Sequence, residues 1–109
     1  MKILHLASFV GNFGDILSNR ALHQYLYSNH DVECVDEFEI RRLYQNFPSR
    51  DKGSFNDLLE FYQSSDYERL IIGGGGFFDY WVPNTTTGTT FDVDLKLIAN
   101  LRKKVIFSS

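Results

Sequence analysis

Leu70-Ile71-Ile72-Gly73-Gly74-Gly75-Gly76-Phe77-Phe78-Asp79 delivers a run of branched apolar residues into four consecutive glycines. The apolar run reads as a strand buried on both faces, the pattern of a parallel sheet. Four glycines continue neither a strand nor a helix cheaply, because glycine loses more backbone entropy on ordering than any other residue. What they offer is positive φ and close approach, by a ligand or by the backbone of a neighbouring strand. In an open α/β sheet such a loop leaves the carboxyl end of its strand, where ligands bind. A tight strand-to-helix turn without a ligand is the alternative. Four glycines exceed what that turn needs, which favours the ligand.

Outward from this stretch the chain alternates strands and helices. Ile3 to Phe9 reads as strand one, followed by the loop Gly11-Asn12-Phe13-Gly14-Asp15. A helix is expected from Asp15 to Ser28, with Asp15 as N-cap and Leu17, Ala21, Leu22, Tyr25 and Leu26 as its apolar face. Asn29-His30-Asp31 breaks it, and Val32 to Asp36 reads as strand two. A short helix fits Glu39 to Tyr44. Ser54-Phe55-Asn56-Asp57 reads as a capping box opening a helix through Gln63, with Phe55, Leu58, Leu59 and Tyr62 on one side. Arg69 to Ile72 is strand three. Asp92 to Arg102 reads as a helix with Leu95, Ile98, Ala99 and Leu101 at core spacing, and Arg102-Lys103-Lys104 as its basic C-terminal end. Val105 to Phe107 is strand four. The order β-α-β-α-β-α-β predicts an α/β fold, a Rossmann-like parallel sheet with flanking helices and right-handed crossovers. A last strand with no following helix leaves an edge uncovered. Residues 1–109 are therefore expected to form the amino-terminal domain of a longer protein whose second domain is absent.

Composition narrows the class. The 109 residues suffice for one domain, and 43% are hydrophobic, with 10 Phe and 6 Tyr, so a core can form. The net charge of −3 comes from interspersed acids and bases, with no basic stripe to suggest nucleic acid. The single cysteine, Cys34, excludes an internal disulfide and reads as a buried, inert thiol in a reducing compartment. Met1 to Val10 resembles a signal peptide only superficially, being interrupted by His5 and lacking a small-residue cleavage site. No run approaches the roughly 18 apolar residues of a membrane span. Asn84-Thr85-Thr86 matches a glycosylation acceptor, read as chance in the absence of a secretory signal.

Two loops carry the chemistry, Gly11 to Asp15 after strand one and Gly73 to Gly76 after strand three. In a parallel sheet both open on one rim, and strands one and three are commonly neighbours across the switch point. Free N–H groups at the helix start would favour an anion there, although Gly11 and Gly14 also fit plain turn geometry. The first loop, G-x-x-G-D, lacks the central glycine of the dinucleotide fingerprint, and Asp36 would imitate its ribose-binding acid only by position. No G-K-[ST] marks a P-loop. His5, His23 and His30 stand scattered, without metal spacing, and read as structural. Asp15 and Asp79 are the acids nearest the rim and the weak catalytic candidates, able to orient or deprotonate a sugar hydroxyl. Tyr80 and Trp81 could stack on a sugar or pack in a core.

Gly11-Asn12-Phe13-Gly14-Asp15-Ile16-Leu17, with Ala21-Leu22 after it, and the stretch Leu70 to Asp79 together resemble the polysaccharide pyruvyl transferase family. The resemblance covers the chain and the amino-terminal part of a family member. It implies the N-terminal domain of a glycosyltransferase-B-like fold with an interdomain active site. It implies transfer of a pyruvyl group from phosphoenolpyruvate, the donor substrate, to a sugar or lipid-linked glycan acceptor, with no separate cofactor and no metal. It places Gly11, Asn12, Gly14, Asp15, Gly73, Gly74, Gly75 and Gly76 at the cleft in substrate binding, joined by Tyr80. It implies a cytoplasmic enzyme that meets the inner face of the membrane through its substrate. The cationic residues for the phosphoenolpyruvate carboxylate and phosphate are not evident near either loop and would belong to the missing domain. The alternative is a non-catalytic α/β ligand-binding module or truncated remnant. A nicotinamide-dependent oxidoreductase would need the fingerprint that the chain lacks.

Overall fold

The computed structural model describes residues 1–10, 12–43, 54–73 and 95–108. In chain order these form β1 (Lys2–Ala7), α1 (Phe13–Asn29), β2 (Cys34–Glu39), a 3-10 turn (Ile40–Leu43), α2 (Phe55–Ser64), β3 (Arg69–Gly73), α3 (Leu95–Ala99) and β4 (Lys104–Ser108). The protein is an α/β fold, with one four-stranded sheet in the order β2-β1-β3-β4 and every adjacent pair parallel. This arrangement is compatible with a Rossmann-like fold. The chain divides into two compact units, one of Met1–Ile40, Asp66–Gly75 and Lys103–Ser109, the other of Arg41–Ser65 and Gly76–Arg102.

The first unit holds the whole sheet and α1. The central strands are apolar on both faces, as parallel pairing requires. Leu4 stands beside Leu70 and Leu6 beside Ile72 on one face, and His5 stands beside Ile71 on the other. All six are buried, as are Ile3, Ala7 and Ile40. Each aliphatic side chain so buried contributes about 1.5–3 kcal/mol. The edge strands differ. β2 carries Asp36, Glu37 and Glu39, whose charges disfavour edge pairing. β4 exposes Ile106 and Phe107.

Gly73 ends β3 beside Ser108 of β4. A Cβ on Gly73 would stand 2.3 Å from the Ser108 carbonyl oxygen and 2.7 Å from its Cβ. The close approach read from the glycines is thus, at Gly73, the approach of a neighbouring strand. Gly74, Gly75 and Gly76 lie outside the described residues, as do Gly11, the aromatic run Phe77 to Trp81 with Asp79 and Tyr80, and the threonine-rich loop.

In the second unit α2 follows its sequence pattern. Ser54 caps it, its Oγ accepting from the Asp57 N–H at 3.5 Å, and Phe55, Leu58, Leu59 and Tyr62 are buried. α3 is shorter than expected. It ends at Ala99, and Asn100 N–H bonds the Lys96 and Leu97 carbonyls. Arg102-Lys103-Lys104 therefore does not form the end of that helix. Lys104 opens β4 in the first unit, and Lys103 Nζ donates to the Tyr67 carbonyl at 2.8 Å.

Other boundaries shift too. β2 begins two residues later than read and runs to Glu39, so Glu39 closes a strand and the helical turn begins at Ile40 and is described through Leu43, with Tyr44 outside the described residues. Cys34 is half-buried rather than sealed in a core, because it opens an edge strand.

Gly73→Ala is expected to lower stability by about 1–3 kcal/mol, the usual cost of overpacking. Hydrogen exchange should speed at β4 amides before those of β1. Urea denaturation together with amide exchange tests this; an unchanged midpoint would show that β4 yields freely.

Candidate functional site

The site residues read from the sequence begin at the carboxyl end of β1. The α1 N-cap is Asn12, not Asp15. Its Oδ1 accepts from Gly14 N at 2.9 Å and Asp15 N at 3.3 Å, while its carbonyl accepts from Ile16 N at 3.1 Å. Asparagine serves because its short amide reaches back to the first turn from an extended backbone. Gly14 leaves room for that amide, since a Cβ there would meet Asn12 Oδ1 at 3.3 Å. Asp15 falls one turn inside, a first-turn acid at the positive end of the helix dipole. Of the N–H groups expected to face an anion, two, those of Gly14 and Asp15, are met by Asn12.

β1 pairs directly with β3. Since β2 lies on the other side of β1, the chain reverses direction across the sheet between β1 and β3, which makes this the topological switch point. Asn12, Gly14 and Asp15 follow β1, and Gly73 ends β3, so both sequence segments start from adjacent carboxyl ends.

The segment after β1 is tied down by polar groups the sequence reading passed over. Glu39 Oε2, at the end of β2, accepts from Phe9 N at 2.8 Å. Asn19 is buried in α1 and its Nδ2 donates to the Ser8 carbonyl at 2.8 Å. His5, fully buried in β1, places Nδ1 2.7 Å from His23 Nε2 of α1. His23 Nδ1 lies 3.6 Å from Glu37 Oε1 of β2. Phe9 stands edge-on to the His5 ring, with centroids 5.1 Å apart. His5 and His23, scattered in the sequence, are thus a contacting pair, one from the strand and one from the helix; His30 is exposed at the C-cap of α1.

Burial, then the neighbouring His23, lowers the His5 pKa from 6.5 to about 4, against a weaker opposing pull from the Gly73 backbone. His23 is also lowered by burial, with Glu37 pulling the other way. Among the described residues, His5 Nε2 is buried without a hydrogen-bond partner. The Gly73 backbone favours a proton there but does not stand in ordinary hydrogen-bonding geometry.

Asp36 does not play a ribose-binding role by position. It lies within β2, and its carboxylate accepts from the Tyr67 hydroxyl, which holds that phenol up at about 12. Among the described residues no group of three or more His, Cys, Asp or Glu is placed to hold a metal ion. Among them no helix is long and apolar enough to cross a membrane.

The signal for the missed residues was present. A histidine inside an otherwise apolar central strand must find a polar partner on the element that covers it. Asn19, His23 and Tyr27 recur every four residues on α1, and each bonds the sheet unit: Ser8, His5 and Val35 N–H, the last at 2.9 Å from the Tyr27 hydroxyl.

The molecule is therefore a parallel α/β protein in which the segment carrying Asn12, Gly14 and Asp15 and the glycine at the end of β3 follow the two strands of the switch point. Comparison with family models, with curated proteins and with solved structures found no match.

Asn12→Ala is expected to lower stability by about 1 kcal/mol through loss of the cap, and Asn12→Ser to recover most of it. Asn19→Ala leaves the Ser8 carbonyl unpaired and should cost about 1–3 kcal/mol. Urea midpoints for the three variants check both values; equal midpoints for Asn12→Ala and Asn12→Ser would deny the cap its role.

Proposed function

We propose that the chain supplies the acceptor-binding side of a pyruvyl transferase with a glycosyltransferase-B-like architecture. Phosphoenolpyruvate would donate to two hydroxyls of one sugar in a surface polysaccharide or its precursor. Two C–O bonds form at the enol carbon and the bond from that carbon to the phosphate oxygen breaks. One hydroxyl proton completes the methyl group and the other leaves with inorganic phosphate, giving a cyclic ketal.

The observation that carries the reading is the start of the G-N-x-G-D segment and of the glycine run from adjacent strands at the switch point. The capping by Asn12 refines it. With the Gly14 and Asp15 N–H groups occupied, the group this turn offers is the Asp15 carboxylate, an acceptor for sugar hydroxyls rather than a cradle for phosphate. Asn12, Gly14 and Asp15 are assigned to the sugar, with Gly11, Gly74, Gly75, Gly76 and Tyr80 as further binding residues and Asp79 as a second acid. The cytoplasmic setting belongs to this reading, since phosphoenolpyruvate is a metabolite of that compartment.

A second reading, a non-catalytic α/β binding module or remnant, is favoured by one observation. The polar groups at the described rim, Asn12, Asn19 and Glu39, are all engaged in holding the chain itself.

Nuclear magnetic resonance titration of the chain with a uridine diphosphate sugar and, separately, with phosphoenolpyruvate tests the proposal. The sugar ligand should shift the amide signals of Gly14 and Asp15. Asp15→Ala should weaken its binding about tenfold or more, the loss of one hydrogen bond to a charged group, with unchanged circular dichroism. Binding unaltered in Asp15→Ala would remove Asp15 from the site. No response to either compound would leave the module or remnant reading.

A further inference from the structure

The contact between α1 and the sheet includes three hydrogen-bonding groups beside the half-buried Leu22 and Leu26. Asn19, His23 and Tyr27 reach Ser8, His5 and Val35, while Leu17 and Tyr25, on the same helix, are more than half or half exposed. The middle contact of the three is the one that titrates.

The gap of 2.7 Å between His5 Nδ1 and His23 Nε2 holds one proton. Glu37 beside His23 Nδ1 favours a proton on that atom; with the proton assigned there, His23 Nε2 accepts from His5 Nδ1–H. His5 Nε2 is then the unprotonated atom of the pair. It is the buried nitrogen without a partner. A further proton has that atom as its free place on the two rings, and there it would put a cation in a fully buried position where, among the described residues, no acceptor stands in bonding geometry.

We propose that the His5–His23 pair is a proton-operated latch, closed when neutral, that releases the C-terminal half of α1 from the sheet when His5 Nε2 takes a proton. The inference is independent of the transferase reading. It concerns how the helix that carries Asn12 and Asp15 is held, whatever those residues bind.

The charged groups around the pair act in known directions. From β2, Glu37 favours protonation of His23, and Glu39 is engaged by Phe9 N–H. β3 carries Arg69 two residues before Ile71, the strand neighbour of His5, and its guanidinium donates to the Glu68 carbonyl at 2.8 Å. β4 carries Lys104 beside Arg69. On α1 itself Asp15 stands at the first turn, and Arg20 is exposed. Of these groups Glu37 is the one that acts on the pair, through His23, and it only partly offsets the burial.

The sign follows from linkage. His5 is held at about 4 in the closed form and returns to 6.5 when released. The open form binds the proton more tightly, so the closed form is fully favoured above pH 6.5 and is lost as pH falls toward 4. For one such proton the opening equilibrium rises about twenty-fold between pH 7 and pH 5.

Amide hydrogen exchange of the chain, corrected for the intrinsic effect of pH, reads this directly. Protection at His23 to Asn29 should fall about twenty-fold from pH 7 to pH 5, while protection at Leu4, Leu6 and Ile71 stays constant. His5→Gln, which keeps a donor toward His23 and cannot take a proton, should cut that fall to less than about threefold. Nitrogen shifts of the wild-type imidazoles supply a reading that needs no variant: His5 should remain neutral at pH 5 in molecules whose α1 is protected. Constant α1 protection down to pH 4, or a parallel loss in β1 and β3, would overturn the latch. So would an unaltered fall in folded His5→Gln, or His5 titrating at 6.5 with α1 still protected.

Discussion

The first unit depends on how α1 is fixed to the sheet, and that fixing is polar. Asn19, His23 and Tyr27 lie on one ridge, four residues apart, and each meets a hydrogen-bonding group of β1, β2 or the segment after β1. Leu17, Ala21 and Tyr25 lie two positions earlier in the same register. Two residues turn about 200° around a helix, so a helix that lays the first set on the sheet must turn the second set away. Burying an aliphatic side chain stabilises more than a single net hydrogen bond, about 1.5–3 against about 1 kcal/mol. What decides the orientation is the cost of the other choice. Turning α1 over would bury the Ser8 carbonyl and His5 beneath apolar groups, leaving strong polar groups unpaired.

This is also where sequence reading reached its limit. The alternation of strands and helices was legible because three long elements have unmixed signals. Ile3 to Ala7 is apolar except at His5, Leu70 to Ile72 is apolar throughout, and α2 carries Phe55, Leu58, Leu59 and Tyr62 on one face behind a serine cap. The face of α1 was not legible by the same rule, since apolar periodicity predicts the buried side only when the opposing surface is apolar. His5 makes that surface polar. Its place in the middle of a central strand was visible from the outset; its partner, 18 residues away, was not. The start of α1 failed for a smaller reason. Asn12 and Asp15 are both good caps, and the choice between them rests on which backbone is extended.

The glycine run illustrates a different ambiguity. Gly73 is required by packing: Ser108 comes so near that any side chain would collide with its backbone. A glycine needed for a strand contact and a glycine needed for a ligand look alike in sequence. One of four is therefore accounted for without a ligand, and the excess that pointed to a ligand rests on Gly74, Gly75 and Gly76. Likewise Asn12 is needed to cap α1 before it is needed for anything else. The candidate site keeps its position at the switch point, but its described members are double-purposed. Asp15 is the exception, because the helix is capped without it.

That division bears on where selectivity at this rim would come from. A satisfied N-cap leaves less positive potential for an anion, while the carboxylate of Asp15 adds negative charge at the same turn. The same face of the sheet carries His5, next to Ile71, and two residues further along β3 stands Gly73. Because β1 and β3 are paired backbone to backbone, the strand that presents the buried histidine also aligns the residue that opens the glycine run. The His5 contact of α1, the capped turn after β1 and the start of that run thus all depend on one pair of strands.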